Sequence, residues 1–366
     1  MPSSFDPRVE VSAGHLRANA AAIHKHAGVP ILAVIKNNGY GAGILNVARA
    51  LDDVPHVRGF AVVKLQEAVT LRDAGIRKPV MLMGPVDDAD LIEVARRSIE
   101  PMIYTPIAAA LARASERARR PVAVHVCVDT GLGRVGVPHG QALDLVRDLA
   151  VARGVRFGGL MMTFTEDPSF DREQLRRFRA LTRQIDDLRI PAGPRHAASS
   201  YTLFQHPDAF FDMVRPGMAL YGIYPEEAFR KAGTLDLVPA IALKARVAYV
   251  KQLQAGDSAG YNRAYVANRA VWVATLPVGH ADGLPRIAAK GGRVRIGGTL
   301  YPIIASVSAS HTIVEIGRER TVEIGDEATL FDWMPGSRPE ELAASCGASV
   351  YDLTMHLNPL MPRRVV

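Results

Sequence analysis

The chain has 366 residues, 48% hydrophobic and 22% charged, a globular composition long enough for one large domain and a smaller one. No apolar run approaches the roughly 18 residues of a membrane helix, and the opening MPSSFDPRVEV lacks the basic start and apolar stretch of a signal peptide. The two cysteines, Cys127 and Cys346, give no metal spacing and no disulfide framework, so no metal site is expected and a cytoplasmic location is. The formal net charge of +7 is spread as arginine over helix faces, without basic runs interleaved with aromatics; this argues against a nucleic-acid partner and allows a small anionic ligand.

Short apolar runs alternate with helical patterns from about residue 28 to 222. ILAVI (31–35), GFAVV (59–63), VMLM (80–83), MIYT (102–105), VAVHVCV (122–128) and GGLMMTF (158–164) predict strands. A weaker strand falls near Pro194–Ala197, and MALYGI (218–223) predicts the eighth. Helical spacing in stretches such as LQEAVTLRDAG separates them, so the pattern predicts an α/β fold with an N-terminal (β/α)8 barrel. An open doubly wound sheet is the competitor, but GYGAG only partly matches its phosphate turn. After about residue 236, Val/Ile/Thr-rich runs with turns every 8–12 residues predict a C-terminal all-β domain, with RVRIGGTLYPII as a Gly-Gly hairpin. The expected domains are 1–235, whose first ~11 residues are free to pair with the second domain, and 236–366.

Barrel enzymes gather their chemistry at the C-terminal ends of strands. Lys36 stands there after ILAVI, followed by the glycine-rich NNGYGAG; DTGLGR (129–134) follows the fifth run, Ser199-Ser200 the seventh, and Arg215 precedes the last. A lone lysine at a strand end is more often a solvated cap. Among small residues, however, desolvation frees its amine for attack on a carbonyl. Tyr40, Ser200 and the backbone at Gly217 could hold a phosphate. A lysine with a phosphate site suggests pyridoxal phosphate (PLP); a barrel using a free lysine base is the alternative.

The segments AVIKNNGYGAG, VDTGLGRVG, RPGMALYG and GYNRAYVA resemble, in order, those of the alanine racemases, PLP enzymes with a barrel, a β-domain and a homodimeric assembly. The resemblance runs from about residue 6 to 364. It implies that Lys36 is both the cofactor's Schiff-base lysine and one catalytic base, and that Tyr261 is the other base, reaching the site from the partner subunit. It places Arg215 against the pyridine nitrogen, Arg134 near the cofactor phenolate and substrate carboxylate, and Tyr40, Ser199, Ser200, Gly217 and Met218 around the cofactor. The reaction implied is a two-base racemisation of a small amino acid. A tyrosine base at neutral pH needs cationic neighbours.

The sequence also departs from the family. Its usual lysine, often carbamylated, is Cys127; its stacking histidine is Thr163; the asparagine before the phosphate serine is Ser199. An access-channel tyrosine is replaced by His280, the Cys-Met-Asp run by Ser308-Ala309-Ser310, and a second channel tyrosine by Pro359. Arg134, Ala309 and His280 are therefore the expected substrate-binding residues, and the small side chains at 163 and 309 suggest alanine or a larger or more polar amino acid. Loss of the stacking histidine keeps a PLP lyase, decarboxylase or transaminase as an alternative. A non-catalytic PLP carrier is a further one, disfavoured by the β-domain bearing Tyr261.

Overall fold

The structure, a computed structural model, describes residues 5–366. Its first strand, β1 (Arg8–Val11), is wholly buried, and the helix that follows at Ala13–Ala27 shows why helices start and stop where they do. Ser12 accepts a hydrogen bond from the His15 amide at 3.2 Å, and Gly28, at φ 69°, closes the end with its amide on the His24 carbonyl. Asp167 plays the same part for the long helix Pro168–Asp187, accepting from the Ser169 and Phe170 amides.

The barrel strands are β2 (Ile31–Val34), β3 (Val57–Val62), β4 (Val80–Leu82), β5 (Ile99–Ile103), β6 (Val122–Asp129), β7 (Val137–Pro138), β8 (Val155–Met161) and β9 (Arg195–His196). They pair in parallel in the order β2-β3-β4-β5-β6-β8-β9, with the short β7 beside β6. Their apolar side chains are nearly all buried because helices cover the outside of the sheet. Closure differs from expectation: MALYGI does not form a strand. The barrel closes instead through Val214, which bridges Ile31, with the Leu32 amide on the Val214 carbonyl (2.9 Å) and the Val34 amide on that of Pro216 (3.0 Å). Pro216 has no amide proton to continue a ladder, and Met218–Tyr221 coil into a buried 3-10 turn ending at Gly222. A buried apolar run has no periodicity to separate the two outcomes.

The second half supplies strands β10 (Ile241–Arg246), β11 (Tyr249–Leu253), β12 (Ser258–Ala259), β13 (Tyr265–Val266), β14 (Val271–Leu276), β15 (Arg293–Ile296), β16 (Thr299–Ile304), β17 (Thr312–Gly317), β18 (Glu327–Phe331) and β19 (Arg363–Val365). Nine strands form one sheet in the order β11-β14-β17-β16-β15-β18-β10-β1-β19. Strand β1 thus lies in this sheet, antiparallel to β10 and parallel to β19. Arg8, Glu10, Lys244 and Glu327 join across it in an ion-pair network, with Lys244 at 2.9 Å from Glu10 and 3.0 Å from Glu327. The hairpin β15–β16 turns through Gly297 and Gly298, both at positive φ as a two-residue turn requires. Two short helices, Pro339–Cys346 and Val350–Met355, pack on each other, the first also on the turn at Arg286–Ala289 and the second on the turn that follows Lys36, and Tyr351 on the second reaches the barrel mouth.

Candidate active site

At the C-terminal ends of the barrel strands lies a cavity of about 530 Å³. Lys36, Tyr40, Arg134, Thr163, Ser199, Ser200, Arg215, Gly217 and Met218 all line it, with Cys127 and Asp129. The segment after Lys36 explains its own composition. Asn37, Asn38, Gly39, Tyr40 and Gly41 run consecutively at positive φ (54, 54, 63, 52 and 89°). This left-handed conformation costs an ordinary L residue about 1–2 kcal/mol, less for asparagine and nothing for glycine, so only Tyr40 bears the full penalty. Asn38 pins the turn, its amide donating to Glu67 (2.9 Å) and its side-chain oxygen accepting from the Ile44 amide (3.1 Å). The turn buries Tyr40 against Tyr221, ring centroids 5.0 Å apart. Gly217 passes so close beneath the Tyr40 hydroxyl that a β-carbon there would overlap it.

Burial lowers the pKa of the Lys36 amine, and the nearby positive charge of Arg134 lowers it further. Arg134 is held on a loop rather than by its own head group. Asp129 accepts from the amides of Gly131 (2.9 Å) and Gly133 (3.1 Å), and the Cys127 thiol donates to the Val135 carbonyl at 3.7 Å. The guanidinium of Arg134 makes no hydrogen bond or ion pair among the described residues and is exposed. Burial pushes the Cys127 thiol up to about 11, so it is a neutral packed group, as its apolar surroundings favour.

Arg215 is 5% exposed, and burial brings its pKa down to about 10, still charged at neutral pH. Its Nη1 donates to the His196 carbonyl and to His196 Nδ1 (3.0 Å), and its Nη2 to the Met162 carbonyl (2.7 Å), with the Thr163 hydroxyl 3.5 Å away. Its Nε–H alone is left without a partner among the described residues. Ser200 Oγ accepts from the amides of Gly217 (3.0 Å) and Ala219 (3.1 Å), tying the floor of the site together. These groups fit a phosphorylated pyridine aldehyde: a desolvated amine, a spare arginine N–H for a ring nitrogen, and a tyrosine, serines and amides for a phosphate.

Tyr261, His280 and Ala309 are not in this cavity. They form a second cluster on exposed loops of the β-domain, where Tyr261 is 77% exposed. Gly260 packs against Ala305 and Ser306, and the His280 and Ala281 amides donate to the carbonyls of Ser308 (2.9 Å) and Ala309 (3.0 Å). His280 Nε2 accepts from Arg286 at 3.1 Å. Asn262, Arg263 and Ala305 all hold positive φ here, a concentration of backbone strain typical of functional loops. The single chain therefore brings together the lysine half of the predicted site and sets the tyrosine half apart on its surface.

Two cavity residues escaped the sequence reading. Glu166 sits at φ 67° with its carboxyl unpaired among the described residues; burial raises its pKa, and Asp171 and Glu226 add to the effect. Tyr351 reaches the wall from a C-terminal helix. No local motif marks either one. Glu166 comes from the loop between β8 and the helix at Pro168, whereas Tyr351 reaches the wall because its helix packs on the turn after Lys36.

Residues 11–225 match the family model "Alanine racemase, N-terminal domain" and residues 240–365 match "Alanine racemase, C-terminal domain". An alanine racemase of Desulforamulus reducens is 31% identical over 363 residues, covering 97% of both chains. One from Symbiobacterium thermophilum is 33% identical, covering 97% of this chain and 95% of the relative. Among solved structures, the alanine racemase from D-cycloserine-producing Streptomyces lavendulae superposes with a TM-score of 0.93 at 28% identity, over 100% of this chain and 98% of that one. With both domain models and full-length relatives in agreement, the chain belongs to the alanine racemase family.

Proposed function

We propose that this protein is a PLP-dependent amino-acid racemase that interconverts L- and D-amino acids, acting on alanine or on a larger or more polar amino acid. The observation that carries the reading is the desolvated Lys36 amine, in a cavity where Arg215 keeps one N–H unpaired among the described residues. PLP, when bound, supplies the electron sink that makes the substrate Cα–H acidic. Lys36 holds the cofactor and moves a proton on one face of Cα. Tyr261 of the partner subunit does so on the other, the two exchanging donor and acceptor roles with direction.

Arg215 stays protonated, so it donates to the ring nitrogen instead of protonating it; this restrains side reactions such as transamination. Tyr40, Ser199, Ser200 and the backbone at Gly217 and Met218 hold the phosphate, and Arg134 orients the substrate carboxylate. Thr163 leaves room beside the site, and Ala309 and His280 of the partner shape its outer wall. The separation of the two clusters supports a homodimer with shared sites.

The test is incubation of the PLP-loaded protein with separate L-amino acids in D₂O, followed by chiral chromatography with mass detection. The expected product is the α-deuterated D-enantiomer, and the amino acid giving it fastest is the substrate. Deuterium uptake with retained configuration would remove Tyr261 from the mechanism. Conversion to an amine or keto acid would replace racemisation by decarboxylation or transamination.

A further inference from the structure

The barrel interior carries a line of titratable groups that the proposed reaction does not use. Glu100, the second residue of β5, lies at the opposite, N-terminal end of the barrel, where it borders a rear cavity of about 300 Å³ with Arg58 and Arg156. Its Oε2 lies 3.0 Å from His125 Nε2; His125 Nδ1 lies 3.0 Å from His196 Nε2; and His196 Nδ1 lies 3.0 Å from Arg215 Nη1. His125 and His196 are buried, and burial together with the charge of Arg215 drives the pKa of His196 well down. Four side chains thus connect the rear of the barrel to the arginine at its mouth.

The chemistry of the two ends fixes every proton between them. Arginine only donates, so His196 Nδ1 must accept. Neutral His196 then carries its hydrogen on Nε2 and donates to His125 Nδ1. His125 in turn carries its hydrogen on Nε2 and donates to the Glu100 carboxylate. The backbone is shaped to admit this line. A β-carbon at Gly158 would stand 2.8 Å from His125 Nε2 and 3.1 Å from Glu100 Oε2. One at Gly159 would stand 2.8 Å from His196 Nε2 and 2.9 Å from His125 Nδ1. The pairing of β6 with β8 slips by one residue at Val124/His125, which inserts Gly158 as the extra residue beside the His125–Glu100 joint.

We propose that Glu100 and His125 are positioning residues for Arg215: Glu100, as the terminal acceptor, locks both histidines in the Nε2–H tautomer so that His196 always offers Arg215 a lone pair. With Nη1 and Nη2 held from behind, the Nε–H is left for the cofactor ring, a step that rests on the racemase reading given above. A carboxylate in direct contact would screen the guanidinium charge. Two imidazoles away, it orients Arg215 without screening it.

The first test needs no variant of Glu100 and no activity. In ¹⁵N-histidine-labelled wild-type holoenzyme, both His125 and His196 should show the chemical shifts of a bare Nδ1 and a protonated Nε2, with signals assigned by loss in His125→Gln and His196→Gln. An Nδ1–H tautomer at either residue, or a doubly protonated ring, overturns the proposal even if the protein racemises well. If the wild type fails to racemise any amino acid, the functional reading falls while this measurement still decides the relay.

The second test compares holoenzyme variants. Glu100→Gln keeps an acceptor oxygen and should retain kcat within about 3-fold, with the visible absorbance of bound PLP unmoved. Glu100→Leu removes the acceptor and should lower kcat about 10-fold or more, shift that absorbance and leave KM nearly unchanged. Equal loss in both variants, or wild-type behaviour of Glu100→Leu, overturns the acceptor role.

Discussion

Lys36 shows how one side chain acquires its chemistry from its setting. A strand end places it at the barrel mouth, a left-handed turn moves the following backbone away, and burial with Arg134 lowers its pKa. Because the lowered pKa leaves a larger share of free amine at neutral pH, PLP uptake by apo-protein should proceed at a lower pH than for an ordinary lysine. Replacing Arg134 by leucine should move the midpoint of uptake rate against pH upward. The move should be smaller than the total lowering, since burial is the larger cause; an unmoved or lowered midpoint would show that the two cations do not interact. Lys36, Tyr40, Ser200 and Arg215 were legible in the sequence because each stands beside a strand end in a short, distinctive segment. Glu166 was passed over although it follows a strand end, because no family motif singles it out, and Tyr351 because a helix tyrosine in the second domain carries no local sign of facing the barrel cavity.

Among elements, alternating apolar runs made the barrel and the β-domain readable, whereas MALYGI misled because burial on all sides erases periodicity. The two C-terminal helices escaped for a different reason. They are only eight and six residues long, and their short apolar patterns sit among Pro, Ser and Gly. The first holds a testable oddity. Both carboxylate oxygens of Glu340 are buried with no side-chain hydrogen-bond partner among the described residues, and burial raises its pKa to about 7. A carboxyl with a higher pKa in the folded chain than in the unfolded one, where it is near 4.5, favours folding most in acid. That contribution declines as pH rises from about 4.5 to about 7 and is gone above. Glu340→Gln should therefore match the wild type in urea unfolding at pH 4.5 and exceed it at pH 8, by roughly 3 kcal/mol at most. Equal stabilities at pH 8 would show that water reaches the carboxylate.

For the whole molecule, the main consequence is that Lys36 and Tyr261 lie in separate places on one chain. If the site forms between two copies, inactive Lys36→Ala and Tyr261→Phe proteins should complement each other when mixed and allowed to exchange subunits. Random pairing makes half the dimers hybrid, each with one intact site of two, so activity should reach about a quarter of wild type. No recovery after demonstrated exchange would place both groups within one chain. The proposed dimer rests on the family likeness and the separation of the two clusters, since nothing in the sequence around Tyr261 marks an interface.

The sheet order also constrains how the chain comes into being. Strand β1 pairs with Leu243 and Ala242 on one side and with Arg363 and Arg364 on the other. A ribosome adding about 5–20 residues per second needs roughly 20 to 70 s between making Val9 and making its partner Arg363. Until β10 is made, Val9 and Val11, both fully buried at the end, lack both neighbouring strands, and until β19 is made they still lack one. The barrel can close on the nascent chain, but β1, which belongs to the second domain's sheet, is covered on both sides only when β19 is made, so the earliest part of the polypeptide depends on the latest for its protection from aggregation.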